Sequence, residues 1–575
     1  MDIGSGRSDF TVANTTTCRL DALPGRPYHR GVAIPKRART EDTFVGQGTA
    51  NVASPAAELT GSASTLRRGS STASTAFLVT RLRAHWLISL GVFMAIGIAL
   101  RMEYLNSQSL WVDEITSVSI AQLRWPEFFR TLTSGETNMA LYYVLLRFWL
   151  NLGRSEVVIR GLSVLFSVAT IPVVYALGAR LFGRRAGLVA ALLLALNAFH
   201  IRYAQEARSY SLVVFLVSVA SLYYVDAVET SSRRSWMAYS AAMALSVYSH
   251  VFAVFVLVAH WCALVFLPSR TRAWPGTVAS ASVIALLVLP FALYFLAGDV
   301  GQTSWIGKAP LGRIPGLVAQ LIGVSEDLPG WTRRLPLVPY LPLGVAGLVL
   351  AMVSWKVQFR SETSWRYGMI VAWFGVPIVL AFAVSAVKPI FLVHYLIVSL
   401  PPLILLIASA TSKINGRMAF AGVLIALILG NASMISAYYR HAEKEDWRGA
   451  THYVLSQARP GDTVIFYSLG KKAFDYYRDR ESMSGAPLTE YAPRWDAALL
   501  FARHMYSVEE LPLRAGSRAW LVLNNDETVL RTSSGDVGRA ALREAIQQHL
   551  ARERVVATSA AFRGSIRVLL YRMKQ

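Results

Sequence analysis

Charged residues and cysteines are both scarce in this sequence. Asp, Glu, Lys and Arg make up 16% of the 575 residues, whereas hydrophobic residues make up 54%. A soluble chain of this length needs more charge to cover its surface, so the composition argues against a soluble protein. The two cysteines, Cys18 and Cys262, lie in the N-terminal tail and in an apolar segment, which argues against a disulfide framework and a cysteine metal site.

Several functional motifs are also missing. The chain has no Walker A sequence, no Gly-rich dinucleotide motif and no HExxH zinc motif. The formal net charge is +22, but no aromatic-rich basic stripe accompanies it, so we expect no nucleic acid partner. Membrane proteins keep Lys and Arg in cytoplasmic loops, which explains the charge. We therefore expect a lipid bilayer as partner, no required cofactor and no metal-ligating residues. A divalent metal is left open as an alternative that no motif supports.

Apolar runs of about 20 residues are what the sequence has instead. That length crosses the hydrocarbon core as a helix, which satisfies its own backbone hydrogen bonds there. The Lys and Arg clusters between the runs place the N-terminus in the cytoplasm and the C-terminus outside. The eleven predicted spans are residues 84–101, 158–179, 186–204, 209–228, 236–250, 251–267, 276–297, 337–355, 368–386, 395–411 and 418–438.

The regions around these spans differ in composition. Residues 1–83 are rich in Ser, Thr, Ala and Gly, which predicts a disordered cytoplasmic tail. Within the membrane domain, residues 84–438, we expect residues 102–157 to form the first outer loop, with an interfacial helix at 139–152. Residues 439–575 alternate short apolar runs with helical patterns, which predicts a small α/β domain. The predicted fold is an all-α polytopic membrane domain followed by an extracytoplasmic α/β domain.

The first candidate site is the acidic pair Asp113 and Glu114 in the sequence SLWVDEITS, beside Trp111. A tryptophan suits the membrane interface. A carboxylate near apolar walls can have a raised pKa and act as a general base. An acidic dipeptide by itself is more often an ordinary solvated loop, so this motif needs support from other residues.

The second candidate site is the sequence RYAQEARSY at residues 202–210. Arg202 and Glu206 are four residues apart and can pair on one helix face, which is also a common structural arrangement. Arg208 and Tyr210 follow directly. Ionisable groups at membrane depth are costly and usually serve a function, so the cluster favours a site.

The third candidate site is the sequence KPIFLVHYL at residues 388–396. Lys388 and His394 are suited to binding an anion, although Lys388 also fits lipid-headgroup snorkelling and His394 a structural hydrogen bond. Tyr395 follows His394, and we place it with His250 in the substrate pocket. For His250 the structural interpretation is the stronger one.

Together these residues put two carboxylate groups and several cations on one side of the membrane. Such a set suits substitution at a sugar carbon whose leaving group is a lipid phosphate. One carboxylate deprotonates the acceptor hydroxyl, and cations offset the charge that grows on the departing phosphate. The missing nucleotide motifs give a nucleotide-sugar donor no support. The alternatives are a polytopic transporter or lipid flippase, and a non-catalytic scaffold; the chain shows no repeated halves of the transporter kind.

Several segments carry a family resemblance across about residues 84–465. They are SLWVDE, LYYVLLRFWLNLGRSEVVIRGLSVLF (141–166), ARLFGRRAGLVAALLLALNAFHIRYAQEARSYSL (179–212), YSHVFAVFVL (248–257), VHYLIVSLPPL (393–403) and KEDWRGA (444–450). In this order they resemble the GT-C superfamily of polyprenyl-phosphate-sugar-dependent glycosyltransferases. The most similar branch is the bacterial one related to protein O-mannosyltransferases and aminoarabinose transferases.

The resemblance implies a GT-C type fold and an inverting sugar transfer outside the cytoplasm. It makes Asp113 the base, with Glu114 supporting it and Glu206 as the second acid. It also places Arg208 near the donor phosphate, where Lys388 and His394 are the other candidates. The expected partners are a polyprenyl-phosphate-linked sugar and an envelope glycan, lipid or protein acceptor, at the bacterial cytoplasmic (inner) membrane.

Two positions depart from the family pattern. Many relatives have His-Pro-Pro before LYY, where this chain has Asn138, Met139 and Ala140. Many have Arg before the Tyr-Leu of the tenth span, where this chain has His394. The second departure predicts that any phosphate binding at this position depends on pH.

Overall fold

The computed structural model describes most of the chain beyond the N-terminal tail. It describes residues 68–574 apart from 135, 269, 298–305, 307–309, 325–336, 358–359, 442–443, 467–469, 482–487, 492–510, 512, 514–516 and 525–533. Residues 1–67 of the predicted disordered tail lie outside the described residues. From Arg68 onward the chain is helical, so the first helix begins before the predicted span.

The membrane domain consists of long helices joined by short connections. Its helices are α1 (Arg68–Met102), α2 (Val112–Gln122), α3 (Trp125–Ser134), α4 (Ala140–Trp149), α5 (Glu156–Phe182), α6 (Arg184–Ala195), α7 (Ala198–Ala204), α8 (Tyr210–Thr230), α9 (Arg233–Ser249), α10 (Ala253–Ala263), α11 (Arg270–Ala297), α12 (Ile314–Ile322), α13 (Leu337–Val357), α14 (Glu362–Ser385), α15 (Leu400–Ser412) and α16 (Arg417–His441). A 3-10 turn, Val393–Ser399, leads directly into α15.

All eleven predicted spans fall on helices. In the described part of the chain, eight helices are long and apolar enough to cross a membrane, and a ninth span is formed if α6 and α7 count as one. The other two predictions coincide with α9 and α10. Helix α10 with the turn that follows it is apolar but short, and α9 is 17 residues long. The polytopic helical fold is therefore confirmed.

The span made of α6 and α7 is bent by 57° at Leu196 and Asn197. The Asn197 side chain accepts a hydrogen bond from the backbone N–H of His200 at 2.8 Å and thereby caps α7. At the other side of the break, buried Arg101 donates to the carbonyl oxygens of Leu194 (3.2 Å) and Ala195 (3.0 Å). These bonds satisfy backbone groups that have lost their helical hydrogen-bond partners at the break. They also fix the direction of α7, whose end carries the first residues of the second candidate site.

The segment between α1 and α5, which was predicted to form the first outer loop, folds into three short helices, α2 to α4. Arg147 in α4 donates to the carbonyl oxygens of Ala121 (3.0 Å) and Leu123 (2.5 Å), and so caps the end of α2. Its guanidinium also lies 3.9 Å from the ring centroid of Trp125. The predicted helix at 139–152 is present as α4 with a short 3-10 turn on each side.

The C-terminal region forms the predicted α/β domain. Its helices are α17 (Trp447–Gln457), α18 (Gly470–Arg478) and α19 (Ser534–Glu553), and its strands are β1 (Thr463–Phe466), β2 (Thr489–Tyr491), β3 (Ala519–Leu523), β4 (Arg554–Phe562) and β5 (Ile566–Met573). The five-stranded sheet has the order β2-β1-β3-β5-β4. Strands β2, β1 and β3 are parallel, and β5 is antiparallel to both β3 and β4.

One hydrophobic cluster joins this domain to the outer segment. Trp447, Tyr477 and Trp520 of the C-terminal domain share a buried core with Leu110 and Ile115 at the start of α2. Burying large aromatic side chains is strongly favourable. The C-terminal domain therefore holds the beginning of α2, which carries the acidic pair, in a fixed position.

Candidate active site

Glu114 lies at the centre of a buried group of charges. Its carboxylate accepts hydrogen bonds from Arg160, Nε to Oε1 at 2.8 Å and Nη2 to Oε2 at 2.7 Å. The Lys444 ammonium lies 3.3 Å from Oε2, and the backbone N–H of Ala207 donates to Oε1 at 2.9 Å. Burial by itself would raise the pKa of Glu114, but the charges of Arg160 and Lys444 hold it at about 2. Glu114 is therefore ionised, and both of its carboxylate oxygens have hydrogen-bond partners.

Arg160 also fixes the chain that leads into α2. It donates to the carbonyl oxygens of Leu105 (2.8 Å), Gln108 (2.8 Å) and Ser109 (2.9 Å). A planar guanidinium with five donors is suited to such a task. The loop before α2 thus has one geometry, set by a residue of α5.

Asp113 has a different environment from its neighbour Glu114. Its side chain is 43% exposed, and one carboxylate oxygen lies 3.6 Å from Nη2 of Arg208. Arg160 and Lys444, which pair with Glu114, form no ion pair with Asp113 among the described residues. Asp113 is the member of the acidic pair that a substrate can reach.

Arg208 joins the first and second candidate sites. It is 9% exposed, and its Nε has no hydrogen-bond partner in the part of the chain that the structure describes. The Ser163 hydroxyl donates to its backbone carbonyl at 3.2 Å and fixes the loop. Tyr143, Tyr210 and Tyr395 lie close enough to interact electrostatically with the guanidinium. The positively charged guanidinium of Arg208 therefore lies close to three phenol groups, each of which can donate a hydrogen bond.

Glu206 is buried and interacts electrostatically with Lys444 and Glu114. Burial raises the pKa of Glu206, against the opposing charges of Lys444 and Arg202. Lys444 donates to the carbonyl oxygen of Gln205 at 2.7 Å, which holds the ammonium near the residue before Glu206. Burial in turn lowers the pKa of Lys444. Glu114 and Glu206 thus share one cation from the C-terminal domain.

Four of the predicted site residues form one aromatic wall, namely Tyr210, His250, His394 and Tyr395. The ring centroids of Tyr210 and His394 are 5.2 Å apart, and those of His250 and Tyr395 are 4.9 Å apart. Tyr210 and His250 connect the two pairs at 6.1 Å. Buried Nε2 of His250 makes no hydrogen bond to any described residue. Residues of the second and third candidate sites therefore lie next to one another.

Two other predicted site residues stand apart from this wall. Trp111 is the N-cap residue of α2, and its indole nitrogen is buried without a hydrogen-bond partner among the described residues. Lys388 is exposed after α14 and forms no ion pair within the described ranges. The structure brings Trp111 next to Asp113 but does not show Lys388 in contact with the cluster.

Comparisons with known proteins bear on the sequence of one region and on the fold. Residues 139–311 match the family described as dolichyl-phosphate-mannose-protein mannosyltransferase. The chain has the fold of ArnT from Cupriavidus metallidurans in the apo state, with a TM-score of 0.51 and 14% identity over 85% of this chain and 98% of that one. This chain therefore resembles the GT-C type membrane glycosyltransferases, in fold along most of its length and in sequence over residues 139–311.

A second structure of ArnT, bound to undecaprenyl phosphate, has a TM-score of 0.54 and 13% identity over 84% of this chain and 98% of ArnT. No curated protein sequence matches this chain. The predicted resemblance to the GT-C superfamily is thereby confirmed. The family match and the shared fold favour a glycosyltransferase over the transporter and scaffold alternatives.

Four residues of the candidate site, Tyr143, Glu136, Arg160 and Lys444, were not predicted from the sequence. Arg160 and Lys444 bind Glu114, and Glu136 accepts a hydrogen bond from the hydroxyl of Tyr143 at 3.1 Å beside Arg208. Lys444 begins the segment KEDWRGA, and Arg160 and Tyr143 lie within the segment 141–166, so the family resemblance pointed to three of them. Glu136 had no signal beyond being an acid in the outer loop.

The described part of the chain contains no group of three or more His, Cys, Asp or Glu side chains that could hold a metal ion. Catalysis without a metal stays a prediction.

Proposed function

We propose that this protein is a glycosyltransferase that moves a sugar from a polyprenyl-phosphate donor to a hydroxyl group of an acceptor, with inversion at the sugar carbon. The reaction takes place at the outer side of the bacterial cytoplasmic membrane, with the N-terminus inside and the C-terminal domain outside. The observation that carries this proposal is the pairing of a half-exposed carboxylate, Asp113, with a buried guanidinium, Arg208, at 3.6 Å.

Asp113 is the general base in this proposal. Its carboxylate takes the proton of the acceptor hydroxyl while the hydroxyl oxygen forms a bond to the anomeric carbon. Glu114 cannot take this role, because Arg160, Lys444 and the Ala207 N–H already occupy both of its oxygens. Glu114 instead supports the reaction by fixing α2, on which Asp113 lies.

Arg208 binds the leaving group. As the new bond forms, the bond from the anomeric carbon to the phosphate oxygen breaks and its electron pair stays on the lipid phosphate. A guanidinium with a free Nε and nearby tyrosine hydroxyls stabilises this growing negative charge. ArnT, which shares the fold, has been seen bound to undecaprenyl phosphate, and this supports a lipid-phosphate site here.

The remaining site residues contact the sugar. Tyr210, His250 and Tyr395 give the pocket an aromatic wall, Trp111 lies at the start of α2 beside Asp113, and His394 lies beside the phosphate-binding guanidinium. Glu206 supplies a second carboxylate, which can accept hydrogen bonds from sugar hydroxyls. Displacement in one step from the side opposite the phosphate inverts the configuration of the sugar carbon.

The proposal is tested by removing the gene and analysing the cell envelope. Mass spectrometry of lipids, glycans and proteins from the deletion strain should show the loss of one hexose or pentose from a single class of acceptor. Restoring the wild-type gene should return that sugar. An envelope that is unchanged, with no polyprenyl-phosphate sugar accumulating, would contradict the proposal.

A further inference from the structure

A polar pocket lies apart from the candidate active-site residues, at the junction of the membrane domain and the C-terminal domain. It has a volume of about 510 Å³ and is lined by Arg154 and Glu156 at the start of α5, Arg448 of α17, and Tyr476, Arg480 and Glu481 at the end of α18. Neither Asp113 nor Arg208 lines it. Its size is suited to a sugar or a small phosphorylated group.

The charges of this pocket do not cancel. Glu156 forms an ion pair with Arg448 and accepts a hydrogen bond from the Tyr477 hydroxyl at 2.6 Å, so this carboxylate is satisfied. Arg154 and Arg480 have no carboxylate partner among the described residues. Against these two guanidiniums stands one carboxylate, Glu481, so the pocket keeps a positive excess.

Some buried polar atoms of the pocket have no hydrogen-bond partner among the described residues. Tyr476 is only 9% exposed, and its hydroxyl has no hydrogen-bond partner within the described ranges. Oε2 of Glu481 is likewise buried without a partner there, while Oε1 lies 3.4 Å from His452. Arg480 is held in place over the ring of Tyr476, 3.4 Å from its centroid. Buried polar groups without partners are costly, which indicates that a polar ligand satisfies them.

We propose that this pocket binds a phosphorylated sugar unit of the acceptor. Arg154 and Arg480 bind the phosphate, since a guanidinium matches phosphate geometry. The Tyr476 hydroxyl and the Glu481 carboxylate bind sugar hydroxyls. Binding of the anion follows from the pocket alone, whereas its assignment to the acceptor rests on the proposed function.

The pocket is connected directly to the loop that carries the base. The Tyr477 hydroxyl, which donates to Glu156, accepts a hydrogen bond from the backbone N–H of Leu110 at 2.6 Å. Leu110 lies three residues before Asp113. An acceptor held here by its phosphate can therefore present a different, more distant hydroxyl to Asp113, so the pocket selects acceptors by a group that does not react.

The test uses the full-length protein in phosphatidylcholine nanodiscs, with glucose 1-phosphate as the probe and methyl glucoside as its uncharged counterpart. An Arg208→Ala background removes the proposed donor-phosphate site. Calorimetry should show binding of glucose 1-phosphate but not of methyl glucoside. Arg154→Ala and Arg480→Ala should each weaken binding about tenfold, because each removes a charged hydrogen bond. Arg459→Ala, at an exposed arginine outside the pocket, is the matched control.

The outcomes separate this inference from the proposed function. Unchanged affinity in the Arg154→Ala/Arg480→Ala double variant would overturn the pocket assignment, whatever Asp113 does. Weaker binding of glucose 1-phosphate in phosphatidylglycerol nanodiscs would show that a lipid headgroup occupies the pocket, and would overturn the assignment to the acceptor. In cells, the double variant should lower transfer to the acceptor while the purified variant still binds undecaprenyl phosphate.

Discussion

Arg160 donates hydrogen bonds to both carboxylate oxygens of Glu114, at 2.8 Å and 2.7 Å, in a fully buried pair. Glu114 directly follows Asp113, so this ion pair also fixes the turn on which Asp113 lies. The two acids of SLWVDE therefore have separate tasks. One is held inside the protein, and the other faces the substrate.

The Asp113→Asn variant should lose about 10²- to 10⁴-fold in transfer rate, the usual contribution of a general base. An amide cannot accept the hydroxyl proton, but its size preserves the fold. The rate is measured as release of polyprenyl phosphate from the donor by purified protein. Glu127→Gln, at an exposed acid of the same outer segment, should retain its rate. Normal transfer by Asp113→Asn would remove Asp113 as the base.

The Glu114→Gln variant should lower the free energy of unfolding by about 3 to 5 kcal/mol, because it leaves Arg160 buried without its counter-charge. Thermal unfolding in detergent measures this loss. Glu127→Gln again serves as the control and should change stability by less than about 0.5 kcal/mol. A Glu114→Gln protein as stable as the wild type would contradict a structural role for the ion pair.

The stabilisation from Glu114 should also depend on pH. Its pKa is about 2 in the folded protein and 4.5 as an ordinary glutamate, so folding favours the ionised form. The stabilisation is therefore complete above pH 4.5 and is lost as the pH falls through about 2. The stability difference between wild type and Glu114→Gln should shrink over that interval, and a constant difference would argue against this assignment.

The Lys444→Met variant should change the pH profile of transfer. Lys444 lowers the pKa of Glu206, which burial raises, so removing the ammonium moves that pKa further upward. If ionised Glu206 contributes to transfer, the acidic limb of the profile should shift to higher pH. A loss of activity that is equal at every pH would indicate a purely structural role. Lys472→Met, at an exposed lysine of α18, is the matched control.

The Arg208→Ala variant should bind undecaprenyl phosphate about 10- to 100-fold more weakly, since it loses charged hydrogen bonds to the phosphate. Lys388→Ala should change this affinity less than about twofold, because Lys388 is exposed and has no ion pair among the described residues. Titration of the purified proteins measures both. A stronger effect at Lys388 than at Arg208 would move the phosphate site to the loop after α14.

Much of the fold could be predicted from local patterns. Hydrophobic runs such as 210–230 are long enough to span a bilayer whatever surrounds them. The short apolar stretches 463–466 and 519–523 form strands of one sheet. The bend between α6 and α7 was not predicted. It depends on Asn197 and on Arg101, which lies almost a hundred residues earlier in the chain.

The candidate site was predicted in part. The motifs around Asp113, Arg208 and His394 are local, so each was visible by itself. Which residue binds which was not visible, since Arg160 and Lys444 reach Glu114 from 46 and 330 residues away. The different exposure of Asp113 and Glu114 likewise depends on such distant partners.

The sequence by itself determined the class of protein, the helical spans and the set of ionisable residues, because hydrophobicity and backbone hydrogen bonding act along the chain. The tertiary structure alone decided which acid is buried and which is open, which cation each acid meets, and where an arginine-lined pocket forms. Those properties arise from burial and distance between residues remote in sequence, and electrostatic energies depend on both.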